Sequence, residues 1–168
     1  MLKYKVFYSV YAPNKVKQRK DFYSKLNRVL NQICLNERNI LMAGDFNCCL
    51  HNNDRVPFTH EGDQSRTCLK NILAKFNLCD ASKVVTNTPL FTWQNTNSTI
   101  KSRLDYIFVS ENISQCTEYI NSEYFISCKN EEKLSDHKYV NISLANILPK
   151  RGPGYWKLNI SCLEEKEY

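Results

Sequence analysis

The stretch that most constrains this chain is Ile40 to Asn47, Ile-Leu-Met-Ala-Gly-Asp-Phe-Asn. An apolar run leads into a glycine, then a carboxylate and an amide two positions apart. An uninterrupted apolar run this short fits a buried strand rather than a helix. Gly44 permits a bend or a close backbone approach at its end. Strand alternation would send Asp45 and Asn47 to the same side. The C-terminal end of a buried strand is where α/β proteins place reaction centres. The same residues also spell a strand closing in an Asx turn, since Gly, Asp and Asn are turn residues. Taken alone, the stretch leaves both readings open.

The rest of the chain supplies neighbours for that strand. Val6 to Tyr11 is β-branched and aromatic and reads as a strand stopped by Pro13. Gln18 to Leu35 is helical, with Phe22, Leu26, Val29, Leu30 and Ile33 on one face. Its basic residues Lys17, Arg19, Lys20, Lys25 and Arg28 read as a solvated side. His51 to Gly62 is polar and reads as a loop, in which His51 and His60 are exposed histidines without a second metal-type residue at ligand spacing. Asp63 to Phe76 is a second helix, with a stripe of Leu69, Ile72, Leu73 and Phe76 that Asn77 can close. Leu78 to Val85 gives a connection and a short strand, and Leu90 to Trp93 another. Gln94 to Lys101 is a turn or exposed loop. Leu104 to Val109 is a buried strand carrying Asp105, and a charge there needs a partner. Further strands are expected over Tyr119 to Ile126 and Tyr139 to Leu144, on either side of a charged loop at Lys129 to Lys133. Pro149 to Gly154 is a linker, and Ser161-x-x-Glu164 is a capping box that opens a last helix. Strand–helix–strand order predicts an α/β layered fold.

Composition removes several classes. No apolar run reaches the length of a membrane span, so no membrane partner is expected. Met1 to Val6 lacks the apolar core of an export signal, which predicts an intracellular protein, nuclear or cytoplasmic and not secreted. The 8 Cys include no Cys-x-x-Cys pair, so zinc spacing is absent and the thiols are expected to be reduced and mostly buried. A formal charge of +6 leans weakly toward polyanionic partners.

Three strand ends now carry Asp45 with Asn47, Asp105, and Asp136 with His137. A histidine oriented by a carboxylate is a general acid–base unit. Converging carboxylates suit a hard cation, Mg²⁺ or Mn²⁺. Asn47 and Tyr11 offer amide and phenol donors for phosphoryl oxygens. Metal-assisted phosphodiester hydrolysis uses all of these parts.

Tyr11-Ala12-Pro13-Asn14, Gly44-Asp45-Phe46-Asn47, Ser102-Arg103-Leu104-Asp105-Tyr106-Ile107 and Ser135-Asp136-His137, in this order, resemble the endonuclease/exonuclease/phosphatase superfamily. Within it the chain is most similar to the endonuclease domain of LINE-type non-LTR retrotransposons. Phe91-Thr92-Trp93 resembles that group's Thr-aromatic strand. Trp156-Lys157-Leu158-Asn159 resembles the segment leading to the fused reverse transcriptase. The resemblance implies a four-layer α/β sandwich and a metal-dependent DNA endonuclease, and DNA is the partner it implies. His137 would contact the scissile phosphate, Asp105 would orient it, and Asp136 would be the metal-associated carboxylate. Asp45 would activate water and serve the metal, while Asn47 and Tyr11 would hold the phosphate. Asn14 and Thr92 would line the substrate groove.

The same resemblance places an asparagine and a metal-binding glutamate on strands that precede Tyr11. Met1 to Val10 holds no Asp, Glu or Asn. Residues 1–148 are therefore expected to be roughly the C-terminal two-thirds of the domain, and residues 149–168 a linker and the start of a following segment. Apolar surface should then lie uncovered around Val6 to Tyr11 and Ile40 to Ala43. The chain alone is expected to be an inactive fragment. The alternatives are a non-catalytic remnant, or a phosphatase or phospholipase of the same superfamily.

Overall fold

The apolar runs at residues 40–43 and 106–109 fill the middle of the main sheet. The computed structural model describes residues 6–33, 39–58, 63–86, 90–124, 126 and 133–145. Its elements in order are β1 (Val6–Tyr11), α1 (Val16–Ile33), β2 (Ile40–Asp45), a 3-10 turn (Asn52–Asp54), β3 (Arg55–Val56), α2 (Gln64–Lys75), β4 (Leu78–Asp80) and α3 (Ala81–Val85). There follow β5 (Trp93–Gln94), β6 (Lys101–Ser102), β7 (Asp105–Ser110), α4 (Glu111–Ser114), β8 (Thr117–Glu123) and β9 (Tyr139–Leu144).

The main sheet has the order β1-β2-β7-β4. β1 runs parallel to β2, as a helical crossover requires, and the other pairs are antiparallel. Side chains alternate between two cores, as a strand buried on both faces must. Ile40 and Met42 of β2, with Tyr106 and Phe108 of β7, face α1 and α2. Leu41, Ile107 and Val109 face Ile113, Ile120 and the apolar positions of β9. The described residues thus stack helices, the main sheet and the β8–β9 pair. A small third sheet, β3-β6-β5, sits at the end of the main sheet.

Several sequence expectations need correction. Arg19 is not on a solvated face. It is 5 % exposed and lies in register with Tyr23 and Leu30, which are fully buried, whereas Val29 faces solvent. The stretch from His51 onward is more than a loop, because it holds the 3-10 turn and β3. Ala81–Val85 is helix, since Asp80 caps it by accepting from the Ser82 amide at 3.0 Å. Gln94 and Lys101 pair with each other, so only residues 95–100 form the turn. Ile40, Leu41 and Met42 are covered, while Phe7 and Tyr11 on β1 are 62 % and 75 % exposed. Of the two stretches expected to be uncovered, the exposed large apolar side chains thus lie on β1, which is an edge strand among the described residues. Among the described cysteines all are free thiols, but only Cys48 is buried, and burial pushes its thiol up to about 12. His60, the 149–154 linker, Trp156 to Asn159 and the Ser161 capping box lie outside the described residues.

Candidate active site

Gly44 has φ 140, and a Cβ built on it would stand 1.9 Å from the carbonyl oxygen of Val10. Only glycine lets β1 approach β2 this closely. The strand stops one residue later, at Asp45. Phe46 turns into the core, and Asn47 takes a positive φ of 47. Alternation is therefore not what places Asp45 and Asn47 together. The Asn47 amide donates to Asp45 Oδ1 at 2.8 Å, and Asn47 Nδ2 donates to Asp45 Oδ2 at 3.0 Å. The Asx turn and the reaction centre are the same piece of chain.

Asn47 Nδ2 also donates to the Ala12 carbonyl at 2.7 Å. A side-chain amide has two N–H donors, and both are used here. Asn47 thus braces Asp45 against the β1–α1 loop in this state. The Tyr23 hydroxyl donates to the Phe46 carbonyl at 2.7 Å and steadies the same turn from below.

Asp105 lies directly opposite Asp45 in the β2–β7 register. Its Oδ2 is 2.9 Å from His137 Nδ1, the partner its position in a buried strand demands. Burial raises the Asp45 carboxyl above the usual range. The Asn47 amide opposes that shift, and the Asp105 charge adds to it. Asp45, Asp105 and His137 offer ligand atoms that all lie within 4.8 Å of one another. Two carboxylates that repel across this distance, with one imidazole, make a donor set that could hold a divalent metal ion.

A cleft of about 570 Å³ opens over these groups. Tyr11, Asn14, Asp45, Asn47, Asp136 and His137 all line it, and Asp105 stands behind His137. Asp136 is exposed, and its Oδ2 accepts from Trp93 Nε1 at 2.7 Å. It stands outside the group of three donors found among the described residues. Thr92 does not line the groove as expected. It is 0 % exposed, and its hydroxyl oxygen accepts from the amides of Leu104 at 3.0 Å and Asp105 at 3.1 Å. Its place is behind the site, where it anchors the start of β7.

Sequence reasoning missed Arg19 and Trp93. Arg19 Nε donates to Ser65 Oγ at 2.8 Å, its NH1 to the Asn14 carbonyl at 2.6 Å, and its NH2 to Asp63 Oδ2 at 2.7 Å. It ties the loop that follows Tyr11 and carries Asn14 to the start of α2. Burial alone would raise Asp63, but hydrogen bonds from Ser65 and the Arg19 charge hold its carboxyl below the ordinary value. The available signal was the spacing of Arg19, Tyr23, Leu26 and Leu30, an apolar stripe with a guanidinium at its head. Trp93 had no comparable signal, because its partner is 43 positions away.

A family model described as endonuclease-reverse transcriptase matches residues 5–141 of this chain. Among solved structures, an AP endonuclease from Archaeoglobus fulgidus superposes with TM-score 0.68 at 18% identity, covering 82% of this chain and 60% of that one. A 3'-5' exonuclease (NExo) from Neisseria meningitidis superposes with TM-score 0.65 at 18% identity, covering 81% of this chain and 59% of that one. An endonuclease/exonuclease/phosphatase family protein from Bacteroides thetaiotaomicron gives 0.54 at 19% identity, over 82% and 47%. At these identities the likeness is one of fold. The chain spans 59% to 60% of the length of the first two structures. No curated protein sequence matches it. No helix among the described residues is long and apolar enough to cross a membrane.

Proposed function

Because the chain belongs to the endonuclease-reverse transcriptase family, with a partial endonuclease/exonuclease/phosphatase fold, we propose that it carries the catalytic centre of a metal-dependent, DNA-nicking phosphodiesterase. On this reading the gene is a retroelement's, and a reverse transcriptase is joined to this domain in the full-length protein. The observation that carries the reading is the His137–Asp105 contact of 2.9 Å, set opposite Asp45 beneath a cleft of about 570 Å³.

Each side chain has a task in that reaction. Asp105 holds His137 by Nδ1 and leaves the other ring nitrogen to meet a phosphate oxygen and stabilise its growing charge. Asp45 positions the attacking water and takes its proton. Asn47 keeps the Asp45 oxygens in place. The Tyr11 hydroxyl, exposed at the rim, holds a non-bridging oxygen. Mg²⁺ or Mn²⁺ on the carboxylates of Asp45 and Asp105 would supply neutralising charge to the pentavalent phosphate and the leaving oxygen. The donor set fits such an ion but is thin, because one Asp105 oxygen is already engaged by His137. Mg²⁺ is strongly hydrated and depends on well-placed carboxylates. For that reason we expect residues 1–168 alone to bind Mg²⁺ weakly and to nick DNA below detection.

The test compares this chain with a longer version that includes the codons upstream in its own gene. The longer version should nick supercoiled plasmid with Mg²⁺ and stop on chelation. His137→Ala should slow it by at least ~10²-fold, as loss of a general acid–base group usually does. Turnover of an inositol phosphate without any DNA nicking would refute the nuclease reading. Metal-dependent nicking by residues 1–168 that His137→Ala abolishes would refute the thin-site argument.

A further inference from the structure

The segment from Lys133 to Lys138 carries His137 across the cleft with little regular structure of its own. Lys133 pairs with Ile126 in an isolated bridge, and β9 begins only at Tyr139. Between those points the segment leans on Thr92 and Trp93. The Lys138 amide donates to the Thr92 carbonyl at 2.7 Å, and His137 pairs with Trp93 in an isolated antiparallel bridge. The His137 amide donates to Ser135 Oγ at 3.0 Å, which tightens the bend before it.

One side-chain bond is laid over this pairing. Trp93 Nε1 donates to Asp136 Oδ2 at 2.7 Å. Indole has a single donor, and a carboxylate acceptor makes the bond charge-assisted and strong. Trp93 is half-buried and lines the cleft beside Asp136. Asp136 and His137 are adjacent in the chain. Fixing the Asp136 carboxylate therefore restricts the backbone rotations that would swing the imidazole away from Asp105. The bond also keeps Asp136 on the cleft wall, apart from the donors Asp45, Asp105 and His137.

We infer that Trp93 is a positioning residue: its indole N–H holds the Asp136 carboxylate and, with the backbone bridge, keeps the His137 ring seated on Asp105. The inference rests on the assignment of His137 and Asp105 as the reacting pair. A phenylalanine at this position would keep an aromatic face, though a smaller one, but could not hold Asp136. Packing alone and positioning therefore predict different results.

The experiment uses residues 1–168 labelled with ¹⁵N at tryptophan and histidine. Trp156→Phe and His137→Gln assign the Trp93 indole and the His137 ring signals. Asp136→Ala should move the Trp93 indole N–H upfield and change the His137 ring nitrogen shifts. Asp136→Asn keeps an acceptor oxygen and should move both less. Trp93→Phe should reproduce the His137 change. Asp136 is exposed, so its variants should still fold and decide the matter even where Trp93→Phe does not fold. An indole signal that stays put in Asp136→Ala overturns the inference. So does a moved indole signal with an unchanged His137 ring. Neither readout depends on cleavage, so a longer chain that fails to nick DNA would refute the nuclease reading without touching this result.

Discussion

Arg103 joins two buried carboxylates beneath the cleft, and its loss should be among the costliest single changes in the protein. Arg103 is 3 % exposed, Asp54 2 % and Asp80 8 %. Its NH2 is 2.6 Å from Asp80 Oδ1, its NH1 is 3.8 Å from Asp54 Oδ1, and the guanidinium lies 4.4 Å from the Tyr106 ring centroid. Arg103→Met keeps most of the volume and removes the charge. Breaking a buried pair from one side costs roughly 3–5 kcal/mol, because the remaining charge is left uncompensated. Here the stranded acids keep other donors. Asp80 Oδ1 accepts from the Ser82 amide and hydroxyl at 3.0 and 2.9 Å. Asp54 Oδ2 accepts from the His51 amide at 2.8 Å and the Tyr106 hydroxyl at 3.2 Å. These contacts favour the lower end, about 3 kcal/mol. With a urea slope of about 1–3 kcal/mol/M, the midpoint should fall by about 1–3 M. Circular dichroism through a urea titration reads this directly. Arg103→Met with Asp80→Asn removes the nearer stranded charge and should recover part of the loss. A single variant within about 0.5 kcal/mol of wild type, a change typical of an ordinary surface site, would refute the reasoning. A double variant no more stable than the single one would refute it as well.

Gly44→Ala should prevent folding or cost more than ~4 kcal/mol, since the added Cβ meets a Val10 carbonyl that the parallel β1–β2 pairing holds in place. A thermal melt close to wild type would show that β1 can shift at little cost. Asp63→Asn should destabilise the fold by about 2–3 kcal/mol at neutral pH, by stranding the buried Arg19. The folded Asp63 carboxyl titrates below its unfolded value. Its contribution is therefore fully present above the unfolded value and is lost as pH falls through the folded one. Urea midpoints of wild type and variant should begin to converge as pH falls below about 4. A gap that stays constant down to pH 2 would contradict the pairing.

The central strands were legible because their pattern has one physical solution. Apolar runs at residues 40–43 and 106–109 have no polar side to turn to water, so they must be covered on both faces. The helices could be read from their period, but the lower face of α1 was misassigned. A guanidinium on the stripe looked like a solvent residue until Asp63 and Ser65, 44 and 46 positions on, were brought beside it. α3 was hidden for a similar reason. Ala81–Val85 is too short to show a period, and the Asp80 cap that starts it is also a ligand of Arg103.

The site shows where local pattern stops being informative. Asp105 stood out as a charge in a buried strand that needs a partner, and the family resemblance, not the strand pattern, named His137 as that partner. Asp45 and Asn47 were placed together by alternation, whereas the chain does it by leaving the strand and folding back at Asn47. Both routes predict neighbouring side chains, but they assign Asn47 different duties. On a continuing strand its amide would be free for a phosphate. In the turn both N–H groups are used to brace Asp45 and Ala12. Thr92 shows the same effect in reverse. Its hydroxyl, expected at the groove, satisfies two backbone amides at the start of β7, where no strand partner reaches them. Buried amides need an acceptor, and the Thr92 hydroxyl supplies it. Residues that sit at strand ends must first close the backbone's own hydrogen bonds. Only donors and acceptors left after that are available for chemistry, and among the described cleft residues Tyr11, His137 and the facing carboxylates keep such groups, as do Arg55 and Arg66.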